Sequence, residues 1–504
     1  MNKKLSITRI IIIVALIATV ATCVLLLALG SGDEHVPGRT VKEDVIDPTC
    51  ASRGSYYETT YCLKCNEAMS KERKYTDRLP HDFVDGVCTV CDFDSAIPES
   101  TAGLSFIISR DEKGHEVYHL QDVGTCIYVD ELVIGSYKGR PVTKILYGAL
   151  EQCKNLKRVV IHDTVEEIDS YAFDGCSNLE SIVLPNNSYF ETIEFGTFRS
   201  CISLKSIDIP ESIKTIDDQA FFRCLSLANV TLPEDLRELG ADSFKSCTSF
   251  TEITIPAKLT TIGKSAFSQC INVEKLTVSN GVANIGSHAF FDCVRLYDVS
   301  LPASLSRIGE SAFNGCSSLE SITLGNNVKE IGASAFYGCT SLSSINLGNS
   351  VENIQTLAFS NCKALASIDL PDSLTTMGSA VFSECDSLTE VVFPNSLIRI
   401  YEETFMGCSN LKKVTFGTGL AFLGARTFID CDAIEEVVFL DPSNWQKTDS
   451  TYSGGENIQK KYLSNPKTAA LCMINSKDNG QEWVGLLYNY IKNPTKIMEK
   501  EAEN

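Results

Sequence analysis

The chain has 504 residues, 44% of them apolar, and a formal net charge of −20. That apolar share is enough for a continuous core, and the length allows several domains or one long repeat array. The acidic balance excludes a general affinity for nucleic acid, which relies on clustered Lys and Arg.

Residues 10–29 form an uncharged stretch of 20 residues, long enough to cross a bilayer as a helix. Lys3, Lys4 and Arg9 precede it, and Asp33 and Glu34 come after it. By the positive-inside rule, residues 1–9 stay cytoplasmic and the bulk of the chain lies outside. The competing reading is a cleaved signal peptide with Ala28-Leu29-Gly30 at its small-residue site, but such apolar regions usually run only about 7–15 residues. Apolar residues continue past Cys23 to Leu29, against lipidation of that cysteine. Either way the protein is exported. It is expected to be single-pass and membrane-bound with an extracellular bulk, or secreted if cleaved. Residues 30–48 read as a linker.

Residues 49–92 hold Cys50, Cys62-Leu63-Lys64-Cys65, His81 and Cys88-Thr89-Val90-Cys91. Two Cys-x-x-Cys pairs separated by 22 residues resemble a zinc ribbon, whose usual separation is about 15–20. Each pair sets two thiolates on one knuckle, so Cys62, Cys65, Cys88 and Cys91 are the expected ligands of a structural zinc. Cys50 and His81 are extra or alternative ligands. Asn66 and Asp92 stand where glycine commonly follows each pair in similar modules. Disulfides, natural outside the cell, are the competing reading. A thioredoxin-like redox pair would need a βαβ context that the sequence does not show.

A second linker, 93–103, leads to strands expected at 104–108, 116–120 and 126–134. They are separated by residues 111–114 and Gly124, and this meander (104–141) is the expected N-terminal cap of a repeat array. His115 and His119, near Asp111 and Glu116, fit a solvated hairpin better than a metal site.

Thirteen cysteines then recur from Cys153 to Cys431 at a step of 23 residues, broken once by 25 between Cys176 and Cys201. A period in the twenties is the signature of a solenoid. One unit runs Ala312-Phe313, Cys316, Leu319, Ile322, Leu324, Val328, Ile331, Gly332. The Ile-x-Leu segment alternates as a strand with one buried face. Pro185, Pro210, Pro233, Pro256, Pro302, Pro371 and Pro394 end that strand, since proline has no N–H for a ladder. Gly240, Gly263, Gly286, Gly309 and Gly332 mark the next bend, and the Ala-Phe step reads as a short helical or 3₁₀ turn. The two extra residues of the long unit fall near Asn186 and Asn187, in a turn. The cysteines are expected to be buried free thiols, because side chains stacked in register suit a disulfide badly.

This pattern, Cys-x-x-Leu-x-x-Ile-x-Leu-Pro-x-x-Leu-x-x-Ile-Gly-x-x-Ala-Phe, resembles the BspA-like leucine-rich repeats over residues 142–439. The expected fold is therefore a leucine-rich repeat solenoid of parallel strands with short helical or 3₁₀ turns. Leu150 replaces the first Phe, Phe250 and Val273 replace Leu, and Gly325, Gly348 and Gly417 replace Pro. The resemblance implies a microbial surface or secreted protein with a role in adhesion or partner binding.

In the C-terminal cap and tail, 440–504, Trp445 is expected to pack on the last repeat. Trp483, Leu486, Leu487, Tyr490 and Ile491 recur at helical spacing, so a short amphipathic helix is expected there. No catalytic residues and no bound cofactor besides that zinc are expected: the six histidines form no His-Glu-x-x-His, and no Gly-x-Ser-x-Gly appears. Gly263-Lys264-Ser265 is the repeat's own turn, with Lys258 where a phosphate loop needs glycine. Outward strand positions carry mixed charge and no aromatic platform. The expected function is recognition of, or adhesion to, a protein or other surface macromolecule. The alternative is a passive spacer of the envelope.

Overall fold

The computed structural model describes residues 37–46, 54–62, 68–76, 83–84, 87–88, 97–443, 445–448, 456–457, 460–473 and 489–492. The stretch 10–29 lies outside them; no helix among the described residues is long and apolar enough to cross a membrane. The chain divides into two compact units, residues 1–96 with 110–116, and residues 97–109 with 117–504.

In the first unit, β1 (Pro37–Ile46) pairs antiparallel with β2 (Gly54–Cys62), and β2 with β3 (Ala68–Thr76). β4 (Phe83–Val84) and β5 (Val87–Cys88) form a small hairpin. The supposed linker 30–48 thus supplies a ten-residue strand. It escapes a hydrophobic-pattern reading because polar cross-strand contacts hold it. The buried Thr59 hydroxyl donates to Glu43 Oε2 at 2.8 Å, and Tyr61 donates to the same carboxylate. Those two hydrogen bonds hold the Glu43 carboxyl below its usual range.

The second unit is a solenoid with one continuous core. Strands of the Ile-x-Leu segments pair in parallel at equal register, as in Glu252–Ile255 on Lys275–Val278 and Lys413–Phe416 on Glu436–Phe439. A second parallel ladder, not expected from the sequence, runs through two-residue strands before the glycine bend, such as Ile285 against Ile308 and Ile308 against Ile331. Between the ladders the Phe rings of successive coils stack at 4.9–5.9 Å, with planes within 15° from Phe173 to Phe428.

The Ala-Phe segment closes single i→i+3 turns of the 3₁₀ kind but builds no continuous helix. Its N–H groups alternate in direction. Those of Ser265, Phe267 and Gln269 donate to Ser287, Ala289 and Phe291 of the next coil. Those of Ala266, Ser268 and Cys270 close i→i+3 turns on Gly263, Ser265 and Phe267. The alternation requires a left-handed residue five and one before every cysteine from Cys153 to Cys431, and most of these are not glycine. Leu357 at φ 59° and Arg426 at φ 55° are held there by inter-coil bonding. Left-handed backbone costs an L-residue about 1–2 kcal/mol, of which glycine's extra unfolded-state entropy offsets roughly 0.5–1. Leu357→Gly should therefore stabilise the protein by up to about 1 kcal/mol while Leu357→Ala gains nothing. Denaturant midpoints compare them, and equal midpoints would remove the strain argument.

Each buried thiol has a partner. Cys224 Sγ donates to Phe198 O, Cys316 to Phe290 O and Cys339 to Phe313 O, at 3.2–3.3 Å. The same carbonyl accepts the backbone N–H of its own coil's cysteine, as Phe198 O does from Cys201, so both lone pairs are used. All fourteen cysteines from Cys126 to Cys431 are free and buried.

The expected N-terminal cap is itself a coil. β6 (Ser105–Arg110) lies beside β7 (Glu116–Asp122) in the sheet order. β7 runs parallel to β9 (Val142–Ile145), and β8 (Glu131–Ile134) runs parallel to Arg158–Ile161. Cys126, buried and donating to Ala102 O at 2.9 Å, sits 27 residues before Cys153, off the 23-residue step. In the long unit, Asn187 closes the insertion: its amide donates to Asp163 O and Val165 O, and its Oδ1 accepts from Tyr189 N and Phe190 N.

At the far end Trp445 is buried with its ring 5.2 Å from Phe439, as expected. The expected amphipathic helix is corrected at Tyr490 and Ile491. Tyr490 and Ile491 lie in a strand, Asn489–Lys492, that pairs antiparallel with Phe422–Leu423 and with Trp445–Thr448. The last coil's open edge needs backbone partners, and a strand supplies them where a helix would not. Trp483, Leu486 and Leu487 lie outside the described residues. The described helices are Lys460–Leu463 and Pro466–Met473, which bury Leu463, Ala469 and Ala470.

Candidate interaction surface

Of the four expected zinc ligands, Cys62 is the last residue of β2, opposite Pro37, and Cys88 the last of β5, opposite Phe83. Cys65 and Cys91, with Cys50 and His81, lie outside the described residues. Among the described residues no group of three or more His, Cys, Asp or Glu is arranged to hold a metal ion. His115 Nδ1 stands 3.2 Å from Asp111 Oδ2 within one hairpin turn.

The solenoid's strand faces carry their charge in cross-coil pairs. Lys157 meets Asp130 at 3.5 Å, Lys413 meets Glu390 at 2.8 Å, and Arg295 meets Glu274. On the second ladder Arg307 meets Glu330 at 3.3 Å and Lys329 meets Glu352 at 3.0 Å. Each exposed pair is worth about 0–1 kcal/mol. Their effect here is to cancel the field of the mixed columns, which agrees with the absence of a single-sign stripe in the sequence.

One stretch departs from this balance. Where most coils have glycine at the bend after the second ladder, three consecutive coils carry Asp169, Glu194 and Asp217. Lys144 answers part of this charge, 2.5 Å from Glu167 and 3.0 Å from Asp169. Burial, and then Asp217, Asp169 and Glu167, raise the Glu194 carboxyl above its ordinary value. A carboxyl raised in the folded state contributes stability fully below the unfolded value, near pH 4.3, and loses it as pH rises through the folded value. Glu194→Gln should therefore melt higher than the parent near pH 7, with the gap closing toward pH 4. A gap independent of pH would contradict that assignment.

Beside these carboxylates runs an aromatic column on the turns, Tyr147, Tyr171 and Phe195. The rings meet edge-to-face at 5.5 and 5.1 Å. Tyr147 is 65% exposed. The Arg199 guanidinium lies 4.8 Å over the Tyr171 ring and is held by Asp174 through bonds of 3.0 and 2.7 Å. A Cβ on Gly196 would come within 3.0 Å of the Tyr171 ring, so the next coil leaves that ring its space. Sequence reasoning sought aromatics on the strand face and missed this column. Tyr147 and Phe195 precede their cysteines by six residues and Tyr171 by five, so aligned repeats do not superpose them.

Two open depressions lie elsewhere on the described surface. One, of about 480 Å³, is lined by Ser367, Asp369, Glu390, Asn395 and the half-exposed Val392 and Leu440. The other, of about 730 Å³, lies among Phe222, Arg223, Leu225, Gln269, Ile271 and Asp292.

The family model described as BspA type leucine rich repeat region matches residues 143–260, 237–366 and 329–459, in 6 copies. A leucine-rich repeat protein from Bacteroides ovatus is similar at 25% identity and a TM-score of 0.52, over 67% of this chain and 93% of that one. A leucine rich cell surface protein from Faecalibacterium prausnitzii is similar at 22% identity and a TM-score of 0.36, over 69% of this chain and 96% of its own. No match is found among curated proteins.

Proposed function

We propose, from the premise that the chain belongs to the BspA type leucine rich repeat family, that it recognises or adheres to a macromolecule at the cell surface. The observation that carries this reading is the rigid stack of coils. Inter-coil hydrogen bonds and stacked rings fix exposed side chains in columns at one coil spacing, a preorganised surface that loses little entropy on binding. Residues 10–29 act as an uncleaved anchor with the solenoid outside, and the protein performs no catalysis. Protease treatment of intact cells, with sequencing of the membrane-retained fragment, tests the anchor; a mature chain beginning near residue 30 would replace it with secretion.

Cys62, Cys65, Cys88 and Cys91 hold a structural zinc in this reading. Four thiolates are a fitting donor set, and Cys62 and Cys88, the first cysteine of each Cys-x-x-Cys sequence, each end a strand. Metal analysis of the full-length protein decides the point, since absence of zinc together with absence of reactive thiols would favour disulfides.

The cross-coil ion pairs favour a second reading, a passive spacer, because they satisfy the strand-face charges internally. Capture with the detergent-solubilised full chain separates the two. Saturable binding of one envelope component, lost on changing a single surface patch, supports recognition; unsaturable or patch-independent retention supports the spacer.

A further inference from the structure

The turn surface around Tyr147, Tyr171 and Phe195 differs from the rest of the solenoid in two independent ways, its rings and its charge. We infer that this aromatic column, flanked by Asp169, Glu194 and Asp217, is a docking site for Lys and Arg side chains of a basic segment in a partner protein. The inference deepens the recognition reading and rests on it.

The rings point to a cation. An aromatic face attracts ammonium and guanidinium groups through its quadrupole, worth about 0.5–1 kcal/mol when exposed and about 2 when desolvated. The protein already uses this attraction in place: Arg199 rests on Tyr171 with Asp174 of the preceding turn as its counter-ion. Among the described residues no cation stands over Tyr147 or Phe195. Phe195 comes directly after Glu194, and Tyr147 lies in the coil that precedes Asp169.

The charge points the same way. Lys144 pairs with Glu167 and Asp169, but among the described residues Glu194 and Asp217 make no ion pair, whereas many strand-face charges elsewhere are paired across coils. The Glu194 carboxyl is raised by burial and by its acidic neighbours, as expected for a carboxylate short of a counter-ion. A basic segment would supply several charges to the columns at once.

Other ligands fit less well. Sugars stack on flat platforms, and these rings meet at 67° and 62°. A metal ion needs converging carboxylates, and no such group of three exists among the described residues.

The test is calorimetric titration of the full-length chain, in detergent and at low salt, with a synthetic peptide of alternating Arg and Gly. A Lys-free, Arg-free peptide and a neutral oligosaccharide serve as comparators. Saturable binding of the basic peptide alone is expected, weakening with added salt. Tyr147→Ala and Glu194→Gln should each weaken it about 5–10-fold, Tyr147→Phe should retain it, and Val392→Ser in the distant depression should leave it unchanged. Circular dichroism melts confirm that each variant is folded. No saturable binding of the basic peptide, equal affinity in the Ala and Gln variants, or preferential binding of the oligosaccharide overturns the site. The envelope-capture experiment is scored separately, so loss of this site with retained capture would leave recognition standing on another face.

Discussion

Phe313→Ala should destabilise the solenoid by about 3–5 kcal/mol, the range for removing a fully buried aromatic ring. Phe313 has no exposed surface, and its ring stacks on Phe290 at 5.4 Å and on Phe336 at 5.5 Å. Truncation therefore opens a cavity between two interfaces at once. In a repeat array, where stability sums coil by coil and interface by interface, such a lesion weakens the coupling between the halves. The same change at Phe428 should cost less, because its one stacked partner in the column is Phe405. The predicted signature is a second transition in denaturant unfolding of Phe313→Ala, with hydrogen exchange accelerated first between residues 290 and 340. A single unshifted transition would show that the ring stack does not carry the coupling.

That prediction rests on what the sequence makes legible. The 23-residue step, broken once by 25, places the Phe column, the Ile-x-Leu strand and the buried cysteines from Cys153 on, because all three recur in the sequence once per coil. The second ladder is not legible, since strands such as Arg307–Ile308 have two residues and no alternation to read. The left-handed positions are hidden for another reason. Tyr171, His288, Leu357 and Arg426 share one conformation imposed by bonding to the next coil, with no common side chain to signal it. The A-F-x-x-C spacing imitates a helical turn because its i→i+3 bonds exist, while the alternate N–H groups leave the coil altogether.

The ends fail for want of periodicity. Cys126 continues the thiol column but stands 27 residues upstream, so its coil reads as a separate cap. The C-terminal strand Asn489–Lys492 is specified by the open edge it covers, which only the fold reveals. The candidate docking site is least legible of all. Tyr147, Tyr171 and Phe195 come from two different repeat positions and become neighbours only through the geometry of the turns. The acidic residues are visible in the sequence, but that Lys144 pairs with Asp169 while Glu194 and Asp217 make no ion pair among the described residues is a property of which coils stack together.

The solenoid should unfold steeply under alkaline conditions, at a pH where most domains are still intact. Burial pushes Cys270, Cys385 and Cys431 up from 9.0 to about 12, and the remaining thiols from Cys201 onward are raised as well. A thiol raised in the folded state contributes stability fully below the unfolded value and loses it as pH rises toward the folded one. The window here lies from about 9 to 12, and within it each such thiol takes away about 1.4 kcal/mol per pH unit. One cysteine would be tolerated. A column in register acts together, and about five to ten thiols exposed in one cooperative step would remove roughly 7–14 kcal/mol near pH 10, comparable to a whole domain's stability. Unfolding monitored by circular dichroism and thiol labelling should therefore coincide near pH 10, with labelling slow below it because thiol and thiolate alike are shielded. Replacing Cys293, Cys316 and Cys339 together by Val, an apolar residue of similar size, should move the midpoint upward. It should also lower stability at neutral pH slightly, through the lost donors to Phe267, Phe290 and Phe313. Retention of structure with unreacted thiols at pH 11 would mean that the column is not what limits the fold in alkali.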